Sequence, residues 1–269
     1  MRIAIYLGTN ELGRDPRFCD LYDQLEKGGA SLFFVDDETP LEKDSADMLM
    51  SVGGDGTFLF ASMMVYHIGI PVVGVNLGRL GFLSENRPED VVHALLSGEY
   101  SLEDRLMLKA DASWLPPGTH ALNEFTVHRS GAALLAVDLT IDGIPLPTYW
   151  ADGLIVSTSS GSTAYSLSAG GPIVLPDSRV LLITPIAPHN MNVRPLVVPD
   201  SAKINVRVHS RDGNVKFTAD NRTYDVCDGA SVDVSMAQFS LKRIRLDKSD
   251  FINALTEKLY WGEDVRNIR

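Results

Sequence analysis

The sequence predicts an α/β amino-terminal domain on a mainly parallel sheet, then a mainly-β carboxy-terminal domain, and a last helix that packs back on the first domain. Three observations carry this. Short apolar runs alternate with helix-period segments through the first hundred residues; from about Tyr100 many short strand-like runs are broken by turn dipeptides; helical spacing returns at Phe251 to Trp261.

Taken in order, Ile3 to Leu7 is a first apolar run, Pro16 to Lys27 a helical segment, Ser31 to Val35 and Met48 to Val52 two further runs, Phe58 to His67 a second helix and Pro71 to Val75 a fourth run. Such alternation is what a parallel sheet with crossover helices requires. Pro88 to Leu96 reads as another helix, closed by Gly98. In the second half, Asp142-Gly143, Asp152-Gly153 and Asp212-Gly213 read as turns between strands, and Ser162 to Ala169 is the one helix-compatible piece. In the last segment Phe251, Leu255 and Leu259 share a face, with Asp250 as candidate N-cap. The domains are expected at residues 1–99 and 100–247, with 248–269 forming the returning helix.

Composition narrows the function classes. The 269 residues are 45% hydrophobic and 22% charged, an ordinary globular balance. A net charge of -11 with a pI near 4.9 argues against a dedicated nucleic-acid binder, whose affinity rests on cations that neutralise phosphates. An anionic ligand must then be held locally, by backbone amides at glycine turns and helix N-termini. The two cysteines, Cys19 and Cys227, lack the paired spacing of a zinc or redox site and are expected to be inert core thiols. No apolar stretch reaches the roughly 18 residues of a membrane span, and MRIAIYLG leads straight into a strand pattern. The expectation is a cytoplasmic protein with neither membrane nor nucleic-acid partner.

The first chemical motif is Gly53-Gly54-Asp55-Gly56-Thr57, between the run ending at Val52 and the helical run from Phe58. Glycines allow close backbone approach, and a helix N-terminus supplies N–H groups and a favourable dipole for phosphate. A carboxylate beside phosphates is unfavourable unless it has a task, and accepting a proton from an attacking hydroxyl is one. An ordinary strand-to-helix turn capped by Asp55 fits equally well at this point. The motif is neither a Walker A loop nor a G-x-G-x-x-G fingerprint. Asn76-Leu77-Gly78-Arg79-Leu80-Gly81 follows the run ending at Val75, where an open α/β sheet binds ligands, but for this segment taken alone the favoured reading is a loop whose glycines merely turn the chain.

The second constellation is Asp152-Gly153-Leu154-Ile155-Val156-Ser157-Thr158-Ser159-Ser160-Gly161-Ser162-Thr163-Ala164-Tyr165. A hydrophobic strand ends in small hydroxyl residues, which offer many short donors and acceptors to a polar planar ligand. Tyr165 could stack on a base or sit half buried as packing.

Taken together, GGDGT at 53–57, Asn123-Glu124, DGLIVSTSSGSTAYSLSAGGPI at 152–173 and PIAPHNMNVRPLV at 185–197 resemble the NAD kinase family over most of the chain. GGDG alone also occurs in phosphofructokinases and diacylglycerol-type lipid kinases; its combination with Asn123-Glu124 and GSTAY is specific. The resemblance implies an α/β domain, a β-sandwich-like domain and a ligand site in the crevice between them. It implies transfer of phosphate from ATP to the 2′-hydroxyl of the adenosine ribose of NAD, giving NADP, with Mg²⁺ or another divalent cation brought by ATP and no metal ligands on the protein. Asp55 would accept the proton, with Gly54 and Gly56 on the phosphate side. Asn123 and Glu124 would hold the adenosine ribose, Thr163, Ala164 and Tyr165 would surround the adenine, and Ser166 and Ser168 would continue the binding helix. Asp152 would reach the nicotinamide end, often from a neighbouring subunit, which implies a homodimer or homotetramer. Trp150 and Tyr149 beside it are aromatic types enriched at interface cores.

Three positions depart from the family pattern. Ser159 stands where proline is common, and Phe60 where many relatives carry a basic residue. Around Asp220-Asn221-Arg222 the match is too loose to assign a role. Two rival functions share some of these features: a lipid kinase, which the polar run Ser157 to Tyr165 disfavours, and a dinucleotide sensor without turnover, which the presence of Asp55 disfavours.

Overall fold

The structure, a computed structural model, describes residues 1–36, 38, 41–78, 81–213, 215–247, 251–259 and 261. The chain forms two compact units, Met1–Asp104 with Leu241–Arg269, and Arg105–Ser240.

The first unit opens with β1 (Arg2–Leu7), α1 (Pro16–Lys27), β2 (Ser31–Val35), β3 (Met48–Val52), α2 (Asp55–Val65), β4 (Val72–Val75) and α3 (Pro88–Ser97). Its strands run parallel in the order β2-β1-β3-β4. The local chemistry of α1 matches its bounds: Asp15 caps the Arg17 N–H at 2.9 Å, Pro16 takes the first turn, and Gly28 follows the last residue. Phe18, Leu21 and Leu25 recur on one face and are buried, each adding about 2 kcal/mol of apolar burial. They pack with Val91, Val92 and Leu95 of α3 in the core that also holds Ile3, Ile5 and Met50. Gly98, at φ 75°, closes α3 in the left-handed conformation. Helix α2 starts at Asp55, three residues before the expected Phe58, because Gly54 in extended geometry serves as its N-cap.

The second unit is a β-sandwich. Its strands are β5 (Tyr100–Asp111, which begins in the first unit), β6 (Thr119–Ala121), β7 (Glu124–Arg129), β8 (Leu135–Ile141), β9 (Ile144–Pro145), β10 (Tyr149–Ala151) and β11 (Gly153–Thr158). A short α4 (Tyr165–Ser168) follows, then β12 (Val180–Ile186), β13 (Leu196–Pro199), β14 (Ile204–His209), β15 (Val215–Ala219), β16 (Arg222–Val226) and β17 (Ser231–Leu246). One sheet has the order β13-β12-β11-β7-β15-β16, all antiparallel; the other contains β10-β8-β14-β17. Phe125, Val156, Ile183 and Phe217 of the first sheet share one core with Val137, Leu139, Val206 and Val234 of the second. The last residues of β17 belong to the first unit, where Arg243 pairs in parallel with Val72 of β4.

Two expectations are corrected. Asp142-Gly143 makes the β8–β9 hairpin with both φ angles positive, but Asp152-Gly153 is not a hairpin: there the chain leaves β10 in one sheet and enters β11 in the other. Glycine is needed because a Cβ on Gly153 would lie 2.4 Å from the Val127 carbonyl oxygen. Cys19 and Cys227 are exposed, not core thiols. Cys19 falls one position off the buried stripe of α1, and Cys227 just past the end of β16.

The last helix, α5 (Phe251–Leu259), packs on the first unit: the Phe251 ring stands 5.9 Å from that of Phe82, and Ala254 is buried. Asp250, the expected N-cap, lies outside the described residues. Among the described residues no helix is long and apolar enough to cross a membrane.

Candidate functional site

In the first unit the chain passes from β1 to β2 on one side and returns to β3 on the other, so the order reverses between β1 and β3. Such a switch point leaves a crevice outside the carboxyl ends of the strands. Here it is a cleft of about 370 Å³ lined by Gly8 and Thr9 after β1, Gly53, Gly54 and Thr57 after β3, and Gly78 after β4. Gly8 and Gly53 close on Thr57, where a Cβ on either would lie 2.4 Å from its Oγ1. Gly54 and Gly56 instead have open space where a Cβ would be, and both are exposed at the first turn of α2. The positive end of the helix dipole thus faces a space that a phosphate can approach. The expectation that the glycines after β4 merely turn the chain gives way for Gly78, which lines this cleft, and for Gly81, described next.

Asp55 does not cap its own helix. Its carboxylate reaches across to the following loop, with Oδ2 accepting from the Phe82 N–H at 2.9 Å and Oδ1 from the Leu83 and Ser84 N–H groups at 3.1 and 2.8 Å. Gly81 permits this approach, since a Cβ there would sit 1.8 Å from Oδ1. The Ser84 hydroxyl donates to the Gly53 carbonyl at 2.6 Å, closing the loop onto the glycine turn. Among the described residues, N–H donors take three of the roughly four acceptor positions of this carboxylate, which leaves one on Oδ2. From α5, the Lys258 ammonium donates to the Gly81 carbonyl and lies 4.6 Å from the centre of the Phe82 ring. Burial pushes the Lys258 pKa below the usual lysine range, with Glu85 and Asp55 opposing the shift.

In the second unit the sandwich core takes Phe125, Val127 and Val156, so alternation turns Glu124, Thr126 and Ser157 to the other face of their sheet. Glu124 and Ser157 are register partners there. The segment before Glu124 is held from two sides. Thr158 donates its N–H to the Asn123 carbonyl at 2.9 Å and its hydroxyl to the Leu122 carbonyl at 2.7 Å, while Gly161 fits because a Cβ would stand 2.2 Å from the Asn123 carbonyl oxygen. On the other side Asp220, at φ 47° in the β15–β16 turn, accepts the N–H groups of Leu122, Asn123 and Glu124 at 2.8, 2.9 and 3.1 Å. Asn123 Oδ1, Glu124 Oε2, Thr126 Oγ1 and Ser157 Oγ are buried without a hydrogen-bond partner among the described residues. Buried polar atoms are nearly always paired, so four of them on neighbouring residues make this face a candidate ligand site. Burial, then the nearby Asp220, push the Glu124 pKa up to about 8, opposed by the Tyr165 N–H.

The hydroxyl run divides into two kinds. Ser159 donates to the Pro176 carbonyl at 2.9 Å, Ser162 to that of Val174 at 3.2 Å, and Ser166 pairs with Thr184 at 2.8 Å, so these hydroxyls fix the fold. Thr163 and Ala164 are half-buried, and Ser168 and the Tyr165 ring are exposed. The second unit therefore brings together Asn123, Glu124, Thr163, Ala164 and Tyr165. Asp152 lies at the opposite end of β11, five strand residues or about 16 Å from Ser157. It pairs with Arg129, Nε to Oδ1 at 2.6 Å and Nη2 to Oδ2 at 3.2 Å. Trp150 beside it is exposed, whereas Tyr149 belongs to the core. Phe60 is exposed on α2.

Sequence reasoning left out Gly8-Thr9 and named the Asp220-Asn221-Arg222 segment without giving it a role. The first had a readable signal, a glycine directly after the first parallel strand. Asp220 had only the Asp-Asn pair of a tight turn, which does not tell where its carboxylate goes.

An open parallel sheet with a glycine-turn cleft at its switch point, and a sandwich with orphaned polar atoms beside an exposed tyrosine, define a nucleotide-binding phosphotransferase class. Family models for the ATP-NAD kinase N-terminal and C-terminal domains match residues 21–99 and 122–246. The NAD kinase of Flavobacterium psychrophilum is 40% identical over 83% of this chain and 79% of that protein, and that of Bacteroides fragilis 36% identical over 99% and 100%. Among solved structures, yeast NADH kinase complexed with NADH superposes with a TM-score of 0.85 at 27% identity, over 100% of this chain and 90% of that one. An NAD kinase from Archaeoglobus fulgidus in complex with ATP gives 0.77 at 28% identity, over 92% and 95%. The chain belongs to the NAD kinase family.

Proposed function

We propose that the chain transfers the terminal phosphoryl group of ATP to the 2′-hydroxyl of the adenosine ribose of NAD, forming NADP and ADP. The observation that carries this reading is Asp55, a half-buried carboxylate at the first turn of α2 beside the switch-point cleft, with one acceptor position left among the described residues. The 2′-oxygen forms a bond to the γ-phosphorus as its proton passes to Asp55, and the bond from that phosphorus to the bridging oxygen of ADP breaks. The N–H groups around Gly54 and Gly56 favour the phosphate charge. Asn123 and Glu124 hold the acceptor nucleoside, Thr163, Ala164 and Tyr165 flank its base, and Ser166 and Ser168 carry that helix. The polar orphans and the exposed tyrosine ring support these roles.

Mg²⁺ or another divalent cation would arrive with ATP and would neutralise phosphate charge; the nearby Asp55 carboxylate is already largely occupied by N–H donors. The working assembly is a homodimer or homotetramer in the cytoplasm, in which Asp152 serves a neighbour's site. Its distance along β11 from Glu124 and the exposed Trp150 favour this. The test of the activity is NADP formation by the purified protein from NAD and ATP with Mg²⁺, read by an NADP-specific dehydrogenase, with diacylglycerol as a competing acceptor. Absence of NADP, or phosphorylation of the lipid instead, would reject the reading.

A further inference from the structure

We propose that Asp220 is the positioning residue of the acceptor-nucleoside site: its carboxylate fixes the backbone from Leu122 to Glu124, so that Asn123 Oδ1 and Glu124 Oε2, both without a partner among the described residues, are presented to the ligand. This rests on the reading that the second unit binds NAD. The bonding is unusually complete, with three consecutive N–H groups on one carboxylate, and the Asp220 N–H returns to the Glu124 carbonyl at 3.1 Å. The opposite edge of the same segment is taken by Thr158 and closed by Gly161, so Asn123 and Glu124 have little freedom to turn inward and satisfy themselves.

The arrangement also fixes who carries the charge. Asp220 and Glu124 are enclosed together, and burial pushes both pKa values up. Asp220 has three N–H donors and the Arg222 guanidinium in its favour, whereas Glu124 has the Tyr165 N–H alone. Asp220 therefore keeps the negative charge and Glu124 takes the proton. Arg222 in turn donates to the His120 carbonyl. Burial, the two carboxyl groups, Arg222 and these N–H donors are what shift the two pKa values. Below about pH 8 Glu124 meets the ligand as a neutral acid, able to donate one hydrogen bond and accept another, which suits a sugar hydroxyl.

The experiment is a pH series of kcat/KM for NAD and for ATP with wild type, Asp220→Asn and Glu124→Gln. For wild type, kcat/KM for NAD is expected to fall as pH rises through about 8, with no matching fall for ATP. In Asp220→Asn the charge that raises Glu124 is gone, so the fall moves to lower pH, and KM for NAD rises roughly tenfold while KM for ATP changes less than about threefold. Glu124→Gln cannot ionise, and the step disappears whatever its absolute affinity. A merely structural Asp220 would weaken both substrates and leave the step in place, which overturns the proposal. So does a wild-type step that Glu124→Gln retains, a result readable even if Asp220→Asn fails to fold. If wild type forms no NADP at all, the proposed activity fails instead, independently of Asp220.

Discussion

The glycine turn of the first unit and the Asn123-Glu124 segment of the second are built with the same device and to different ends. In each, one aspartate accepts three successive backbone N–H groups: Asp55 those of Phe82, Leu83 and Ser84, Asp220 those of Leu122, Asn123 and Glu124. Asp55 is half-buried beside the cleft that Gly54 and Thr57 line, so in the proposed reaction the group that clamps the loop also accepts the proton. Asp220 is enclosed and faces a second carboxyl group, so it clamps, and its proximity adds to the burial that raises the Glu124 pKa. Carboxylates with equal hydrogen bonding thus take different roles according to exposure and neighbouring charge.

Small changes at the contact glycines should separate the two clamps. Gly81→Ala would place a Cβ 1.8 Å from Asp55 Oδ1 and push the carboxylate aside. A displacement near 1 Å at a reacting group costs about 100-fold, so kcat should fall by that order while both KM values stay within a few-fold. Unchanged kcat, with the fold verified by circular dichroism, would break the link between loop and chemistry. Gly161→Ala is the counterpart in the second unit, with its Cβ 2.2 Å from the Asn123 carbonyl oxygen. Backbone shifts of this kind cost about 1–3 kcal/mol, so KM for NAD should rise by roughly tenfold or more and kcat should fall less. An equal rise in KM for ATP would deny the segment its selectivity.

The asymmetry between the regions also explains what could be read from the sequence. Asp55 lies inside its own motif, and the strands and α1 around it follow from apolar periodicity, Pro16 and Gly28, so the first unit was legible nearly element by element. In the second unit Asn123-Glu124 was legible through its motif, but Asp220 is 96 residues from Glu124. No local propensity encodes which backbone a buried carboxylate will meet. Asp152-Gly153 misled because a dipeptide common in hairpins here serves a close strand contact, and Cys19 because residue type says nothing about a one-position shift on a helix face.

A smaller effect concerns stability. Glu124 has a folded pKa near 8 against 4.5 for the free group, so between those values the folded state holds a proton that the unfolded chain releases. Its contribution is therefore present at low pH and lost as pH rises from about 4.5 to 8. Glu124→Gln removes that loss, and its melting temperature relative to wild type should rise by several degrees, about 2–4 °C per kcal/mol, between pH 5 and 8.5. A difference that is flat with pH would mean that Glu124 is ionised throughout.

The smallest effect is expected at Arg129→Ala. The Arg129–Asp152 pair is about one-third exposed, and such pairs contribute only about 0–1 kcal/mol, so the melting temperature should barely move. If Asp152 serves a neighbour's ligand, mixing Asp55→Asn with Asp152→Asn subunits should restore activity. No recovery despite proven subunit exchange would confine each site to one chain.

The most direct measurement is a side-by-side separation of kcat and KM for Asp55→Asn and Asp220→Asn at one pH, with nucleotide binding checked by calorimetry. Asp55→Asn should retain binding of NAD and ATP and lose about 100- to 10,000-fold in kcat, the share of a positioned general base. Asp220→Asn should lose chiefly in KM for NAD and keep kcat within about tenfold, as expected when the lost contacts act on binding alone. If both variants show the same pattern, or if Asp55→Asn stays within a few-fold of wild type in kcat, the two clamps do not differ in role and Asp55 is not the proton acceptor.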